Sequence, residues 1–265
     1  MTRTHCLFAL RLATAGLLAV SAAPAWAEAP GPLIREGFKE DFSHLRLDNR
    51  RWYISDGWSN GDWMDCKWSR DAVSVAEGHL RLAHIPADAE KGAGATCGEV
   101  QSKGFAQYGT IEARIRTPRA SGLNASVFTY AGPVHGAQHD EIDIEILTRD
   151  TGEITFNTYV DGKPLNGGTA PVQPPLDEEF HTVAMQWEPE RITWFLDGRQ
   201  VHQTEPGTAL PDGPQKIYMS FWSTGELTDW MGRQGPRTGP LTYEVDWLAY
   251  TPLGHSCLFP ESVIC

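Results

Sequence analysis

Between His139 and Glu145 the chain reads His-Asp-Glu-Ile-Asp-Ile-Glu, three acids alternating with isoleucines. Successive side chains of a β-strand point to opposite faces, so Glu141, Asp143 and Glu145 would share one face and Ile142, Ile144 and Ile146 the other. Carboxyl groups crowded on one open face cannot all ionise freely, and at least one pKa must rise. One carboxyl kept protonated beside one kept ionised is the arrangement that cleaves a glycosidic bond. Two other readings start from the same letters. The row can be the solvated face of an outer strand, or His139, Asp140 and Glu141 can serve a metal-dependent hydrolase. What surrounds the strand decides between them.

The surroundings read as an all-β chain. Thr110–Arg116, Ile154–Val160 and Thr242–Trp247 alternate apolar and polar residues, whereas no window after the first 27 residues carries a helical stripe. Arg191–Leu196, Asp197-Gly198 and Arg199–His202 spell a hairpin with a two-residue turn. Many short strands with 26 glycines and 18 prolines predict a sandwich of antiparallel sheets. One sheet of such a fold can curve, and its concave face makes a groove suited to a polymer. Sugar rings stack their C–H faces on aromatic rings, and Trp58, Trp63, Trp68, Trp222 and Trp230 lie in polar, turn-rich stretches that can supply such platforms.

The N-terminal 27 residues read as a secretory leader: Arg3 and Arg11, an apolar run from Leu12 to Val20, then Ala25-Trp26-Ala27 as a cleavage signal. Residues 28–265 then form one domain, with no later apolar run long enough to span a membrane. The whole chain carries a net charge of −12, and the leader holds two basic residues and no acid. So acidic a surface argues against nucleic acid and anionic membranes as partners and is indifferent to a neutral substrate. Outside the leader are Cys66, Cys97, Cys257 and Cys265. An even count in an exported chain implies two disulfides, with three connectivities open; proximity favours Cys66–Cys97 and Cys257–Cys265. No cysteine and histidine spacing supports zinc.

Phe128-Thr129-Tyr130-Ala131-Gly132-Pro133, followed by Gln138 to Leu147, resembles glycoside hydrolase family 16, above all the bacterial lichenases (endo-1,3-1,4-β-glucanases) and the succinoglycan-depolymerising endoglycanases. Asp56 to Gly61, Cys66-Lys67-Trp68, Cys97-Gly98-Glu99 and Asp229 to Gly232 match in the family's order, so the likeness runs from about Glu36 to Tyr250. It implies a β-jelly-roll of two antiparallel sheets with a concave carbohydrate cleft. Glu141 matches the nucleophile, Glu145 the general acid/base and Asp143 the helper between them, for a retaining double displacement. Asn60, Glu99, Phe128, Tyr130, His139, Asn157, Tyr159, Trp222 and Trp230 match groove positions. Lichenases carry Trp where this chain has His139 and Arg where it has Gln101. The first difference is similar to the plant xyloglucan-modifying branch. A structural Ca²⁺, not used in catalysis, is implied through main-chain carbonyls of Asp41 and Gly78 and the carboxylate of Asp246. The expectation is a secreted, monomeric endo-β-glucanase acting on a β-glucan. A succinoglycan depolymerase, a xyloglucan-type transglycosylase and a lectin-like binder are the alternatives, although a binder has no need of three acids in a row.

Overall fold

The computed structural model describes residues 30–88 and 90–265, so the expected leader lies outside the described residues. In chain order the strands are β1 (Phe38–Glu40), β2 (Trp52–Ile54), β3 (Lys67–Trp68), β4 (Val73–Ala76), β5 (His79–Ile85) and β6 (Thr96–Ser102). Then come β7 (Gly109–Arg116), β8 (Leu123–Ala131), β9 (Asp140–Leu147), β10 (Glu153–Val160) and β11 (Lys163–Pro171). They are followed by β12 (His181–Glu188), β13 (Arg191–Leu196), β14 (Arg199–Gln203), β15 (Lys216–Ser223) and β16 (Leu241–Pro252). A single turn of helix, α1 (Thr228–Met231), interrupts the pattern.

The strands form the expected jelly-roll. One layer runs β11-β10-β9-β8-β15-β6 and the other β5-β16-β7-β12-β13-β14, with β6 paired to both β15 and β5. The two sheets are therefore one continuous hydrogen-bonded path folded over itself. They are also not antiparallel throughout, because the two-residue β3 pairs parallel to β6.

Period 2 explains the layering. Ile142, Ile144 and Ile146 are buried, as are Ile111, Ala113 and Ile115 of β7 and Tyr243 and Val245 of β16. These inward faces make the core between the layers. From β13, Trp194 donates its indole N–H to the main-chain carbonyl of Asp143 at 3.0 Å, tying the acid-bearing strand to the opposite layer. The Asp197-Gly198 turn forms as read, both residues having positive φ (49° and 75°), the conformation that matches the twist of the hairpin strands.

Candidate active site

β9 lies between β8 and β10, and its register builds a site from residues distant in sequence. Tyr130, Phe128 and Ser126 stand opposite Glu141, Asp143 and Glu145 on one side. Tyr159, Asn157 and Thr155 stand opposite them on the other. β15 continues the rows with Lys216, Tyr218 and Ser220. β6 then sets Gln101 opposite Tyr218 and Glu99 opposite Ser220. Directly paired residues share a face, so the three acids sit amid aromatic and polar side chains on the face turned away from the core.

Burial then sorts the carboxyls. Asp143 is buried, and desolvation, with Glu141 and Glu145 as anionic neighbours, holds its carboxyl well above the ordinary value. It also shares a hydrogen bond with Glu141. Glu145 is pushed up to about 7, mainly by burial and secondarily by Glu141, against a hydrogen bond that lowers it. That bond comes from Asn124, whose amide donates to Oε1 at 2.7 Å. A neutral acid near pH 6 beside an anion is what proton-assisted displacement at a sugar carbon needs.

Glu99 is a fourth carboxyl of the same kind. It is buried, and desolvation pushes it up to about 8, opposed by a hydrogen bond from Ser55. A file of donors leads to it: Lys216 Nζ gives to Gln101 Oε1 at 2.9 Å, Gln101 Nε2 to Ser55 Oγ at 3.2 Å, and Ser55 Oγ to Glu99 Oε1 at 2.6 Å. One oxygen of Glu99 is thereby fixed, and as a neutral acid it can donate a hydrogen bond to a sugar hydroxyl.

The remaining groove positions are mostly gathered here. Phe128 stacks on Tyr218, rings 4.8 Å apart and 18° from parallel. Trp222 lies 6.2 Å from Trp230 of α1 and 5.1 Å from Trp63. Glu145, Asn157, Tyr159 and Trp230 line one cavity of about 440 Å³. His139 Nε2 donates to Glu141 Oε2 at 3.0 Å. Asn60 is exposed on the loop after β2, and its carbonyl oxygen takes the indole N–H of Trp68 at 3.0 Å; no contact among the described residues joins it to the carboxylates. Trp68 itself is fully buried with Met64, Cys66 and Cys97, so it is core and not a platform.

Several members of the site were not singled out from the sequence: Asn124, Ser126, Ser55, Lys216 and Tyr218. For Asn124 and Ser126 a signal exists, since they continue the Phe128 and Tyr130 face of β8 by steps of two. Ser55 and Lys216 join only through a pairing of strands far apart in the chain.

The metal readings fare differently. Asp140 is buried and its Oδ1 accepts Gln138 Nε2 and the Asp161 N–H, so it is engaged apart from His139 and Glu141 and the three make no ligand set. Asp65, Cys66 and His84 approach one another, yet Cys66 is bonded to Cys97. For calcium, Glu40 stands opposite Leu248 and Leu80 opposite Val245, so Asp41 and Gly78 fall beside the same stretch of β16 as Asp246. There Asp246 makes a 2.5 Å ion pair with Arg114 and faces His79 Nε2 at 3.5 Å. Asp246 is thus already paired, and a cation there would have to share its carboxylate with Arg114. Both favoured disulfides are present, with Cα–Cα distances of 5.9 Å for Cys66–Cys97 and 5.5 Å for Cys257–Cys265.

Residues 60–249 match the family model for glycosyl hydrolases family 16. The endo-1,3-1,4-beta-glycanase ExoK of Rhizobium meliloti (strain 1021) is 40% identical over 230 residues, 87% of this chain and 84% of that protein. The beta-glucanase of Bacillus amyloliquefaciens is 35% identical over 200 residues, 75% of this chain and 81% of its own. Among solved structures, the Bacillus licheniformis beta-glucanase aligns with a TM-score of 0.76 at 32% identity, covering 82% of this chain and 98% of that one. The acid row and these likenesses agree, and the chain belongs to glycosyl hydrolases family 16: it is a glycosidase.

Proposed function

We propose that this glycosidase is an exported, monomeric endo-β-glucanase that hydrolyses internal β-1,3/β-1,4 glucosidic bonds with retention of configuration. The observation that carries the reading is the acid row itself, with the Glu145 carboxyl pushed up to about 7 by burial beside Glu141. In this reading Glu141 attacks the anomeric carbon while Glu145 protonates the departing oxygen. Glu145, now a base, then takes a proton from the water that releases the sugar. Asp143 donates its hydrogen bond to Glu141 and spares the row a second charge. An open groove with aromatic platforms admits the middle of a polymer, which supports endo action. The names of the relatives supply the glucan, and the two disulfides support export.

Digests of mixed-linkage β-glucan, laminarin, xyloglucan and succinoglycan test the reading, with the anomer of the first product followed by NMR. The expected result is internal cleavage of mixed-linkage β-glucan with a β-anomer released first. An α-anomer first, or no cleavage of any β-glucan, would contradict it. The exopolysaccharide reading stays second because ExoK is the relative with 40% identity, and preferential cleavage of succinoglycan would promote it.

A structural calcium belongs to the same proposal, held by the carbonyls of Asp41 and Gly78 and by Asp246. It would take part of the Asp246 charge from Arg114 and stabilise by mass action. Calcium in excess over chelator should therefore raise Tm while leaving kcat unchanged. No Tm difference between millimolar calcium and EDTA would remove the ion from the account.

A further inference from the structure

The histidine two residues before Glu141 is built into the site more firmly than a groove-lining residue requires. His139 and Glu141 share a face, and one imidazole nitrogen, Nε2, meets Glu141 Oε2 at 3.0 Å. The ring is clamped on both sides. It stacks on Tyr159 at 5.5 Å and 19°, and Tyr130 meets it edge-on at 5.2 Å and 81°. Tyr130 and Tyr159 are the two cross-strand neighbours of Glu141, so the residues flanking the carboxylate also hold its partner. The main chain is pinned as well, Gly162 donating its N–H to the His139 carbonyl at 2.9 Å. At Gly162 a Cβ would lie 3.5 Å from Nδ1, and φ is +70°, which suits glycine in this turn.

We propose that His139 is a positioning residue for the reacting carboxylate: the clamped imidazole holds Glu141 in one rotamer and, when protonated, sets a positive charge 3.0 Å from it. This rests on Glu141 being the nucleophile. The charged and titratable surroundings favour it. On its own element His139 faces Glu141, with Asp140 adjacent; β8 presents Tyr130, with His135 beyond that ring, and β10 presents Tyr159. Glu141 is the only ion-pair partner of His139 among the described residues. The hydrogen bond to Glu141 raises the imidazole pKa above its ordinary 6.5, with Glu141 and Asp140 adding as charges and burial opposing. The imidazolium thus persists through the acidic range in which a nucleophile is lost by protonation.

The test compares wild type with H139Q, which keeps a donor without charge, and H139F, which keeps the ring without a donor. For each, kcat and KM are measured on a soluble β-glucan from pH 4 to 9. The acidic limb of kcat/KM should move to higher pH in both variants. The kcat loss should be deeper at pH 5 than at pH 7, with KM within about twofold, and H139F should lose more than H139Q. A loss equal at every pH, with the limb unmoved, would make His139 a packing residue and overturn the proposal. A second measurement needs no turnover: the His139 imidazole is titrated by NMR in wild type and in E141Q. Its midpoint should fall in E141Q, and an unchanged midpoint would break the pair even if a variant at position 139 failed to fold. If wild type cleaves no glycan but the midpoint falls, the pair stands and the assignment of Glu141 as nucleophile is what fails.

Discussion

At the residue scale, alternation alone placed Glu141, Asp143 and Glu145 on one face, and the structure has them there. What the sequence does not carry is the sorting of their protons, because it depends on burial and on Asn124, a side chain 21 positions away. That sorting has kinetic consequences. Activity that needs a proton on Glu145 should fall as pH rises through about 7. Glu145→Gln should slow polysaccharide cleavage on the order of 10²–10⁴-fold, the usual worth of general acid catalysis. It should leave the first step on activated aryl glycosides nearly intact and without an alkaline limb. Normal polysaccharide cleavage with the limb retained would place the acid elsewhere. Glu99 makes a thermodynamic counterpart. Its folded pKa is raised from 4.5 to about 8, so its contribution to stability is fully present below about 4.5 and is lost as pH rises through 8. Glu145 and Asp143 act with the same sign. Tm should decline between pH 5 and 8, and Glu99→Gln should flatten that decline; an identical slope in the variant would mean Glu99 is ionised in the folded protein at neutral pH.

At the element scale, strands with clean alternation and a marked turn were legible: Thr110–Arg116 lies within β7, Ile154–Val160 within β10, and the Asp-Gly hairpin joins β13 to β14. Elements whose role depends on distant partners were not. The parallel β3–β6 pair has no sequence signature at two residues. Trp68 reads as solvent-side beside polar residues yet is core, because β3 docks beneath the loop that bears Asn60. The Cys66–Cys97 bond ties that loop to β6, the strand that carries Glu99. Its loop of about 32 residues is worth roughly 3.5 kcal/mol by chain entropy. Reducing the native protein should lower Tm by several degrees, at ~2–4 °C per kcal/mol for this size. Activity should fall at temperatures where the oxidised protein is still folded. Four thiols titrating in the unreduced native protein would remove both bridges from the account.

At the scale of the whole molecule, strand pattern and composition pointed to a sandwich and the charge argued against nucleic acid, and the jelly-roll came from the family likeness. Alternation could not say that one strand, β6, would pass the hydrogen-bonded path from one layer to the other. On the near side of that connection, β15 and β6 extend the acid-bearing face with Tyr218, Gln101 and Glu99. The fold thus acts as a frame: one layer presents the groove, and the other holds it from behind through packed isoleucines and the Trp194 bond to Asp143. The role proposed for this frame is to present Glu141 as the nucleophile to the anomeric carbon. Azide added to Glu141→Ala tests it most directly, with an activated aryl β-glycoside as substrate. Without azide the variant should be inactive while its fold and glucan binding persist. With azide it should regain turnover and release an α-glycosyl azide, the small anion having entered from the face that Glu141 occupied. Wild-type hydrolysis in Glu141→Ala without azide, or a β-configured azide product, would contradict the account.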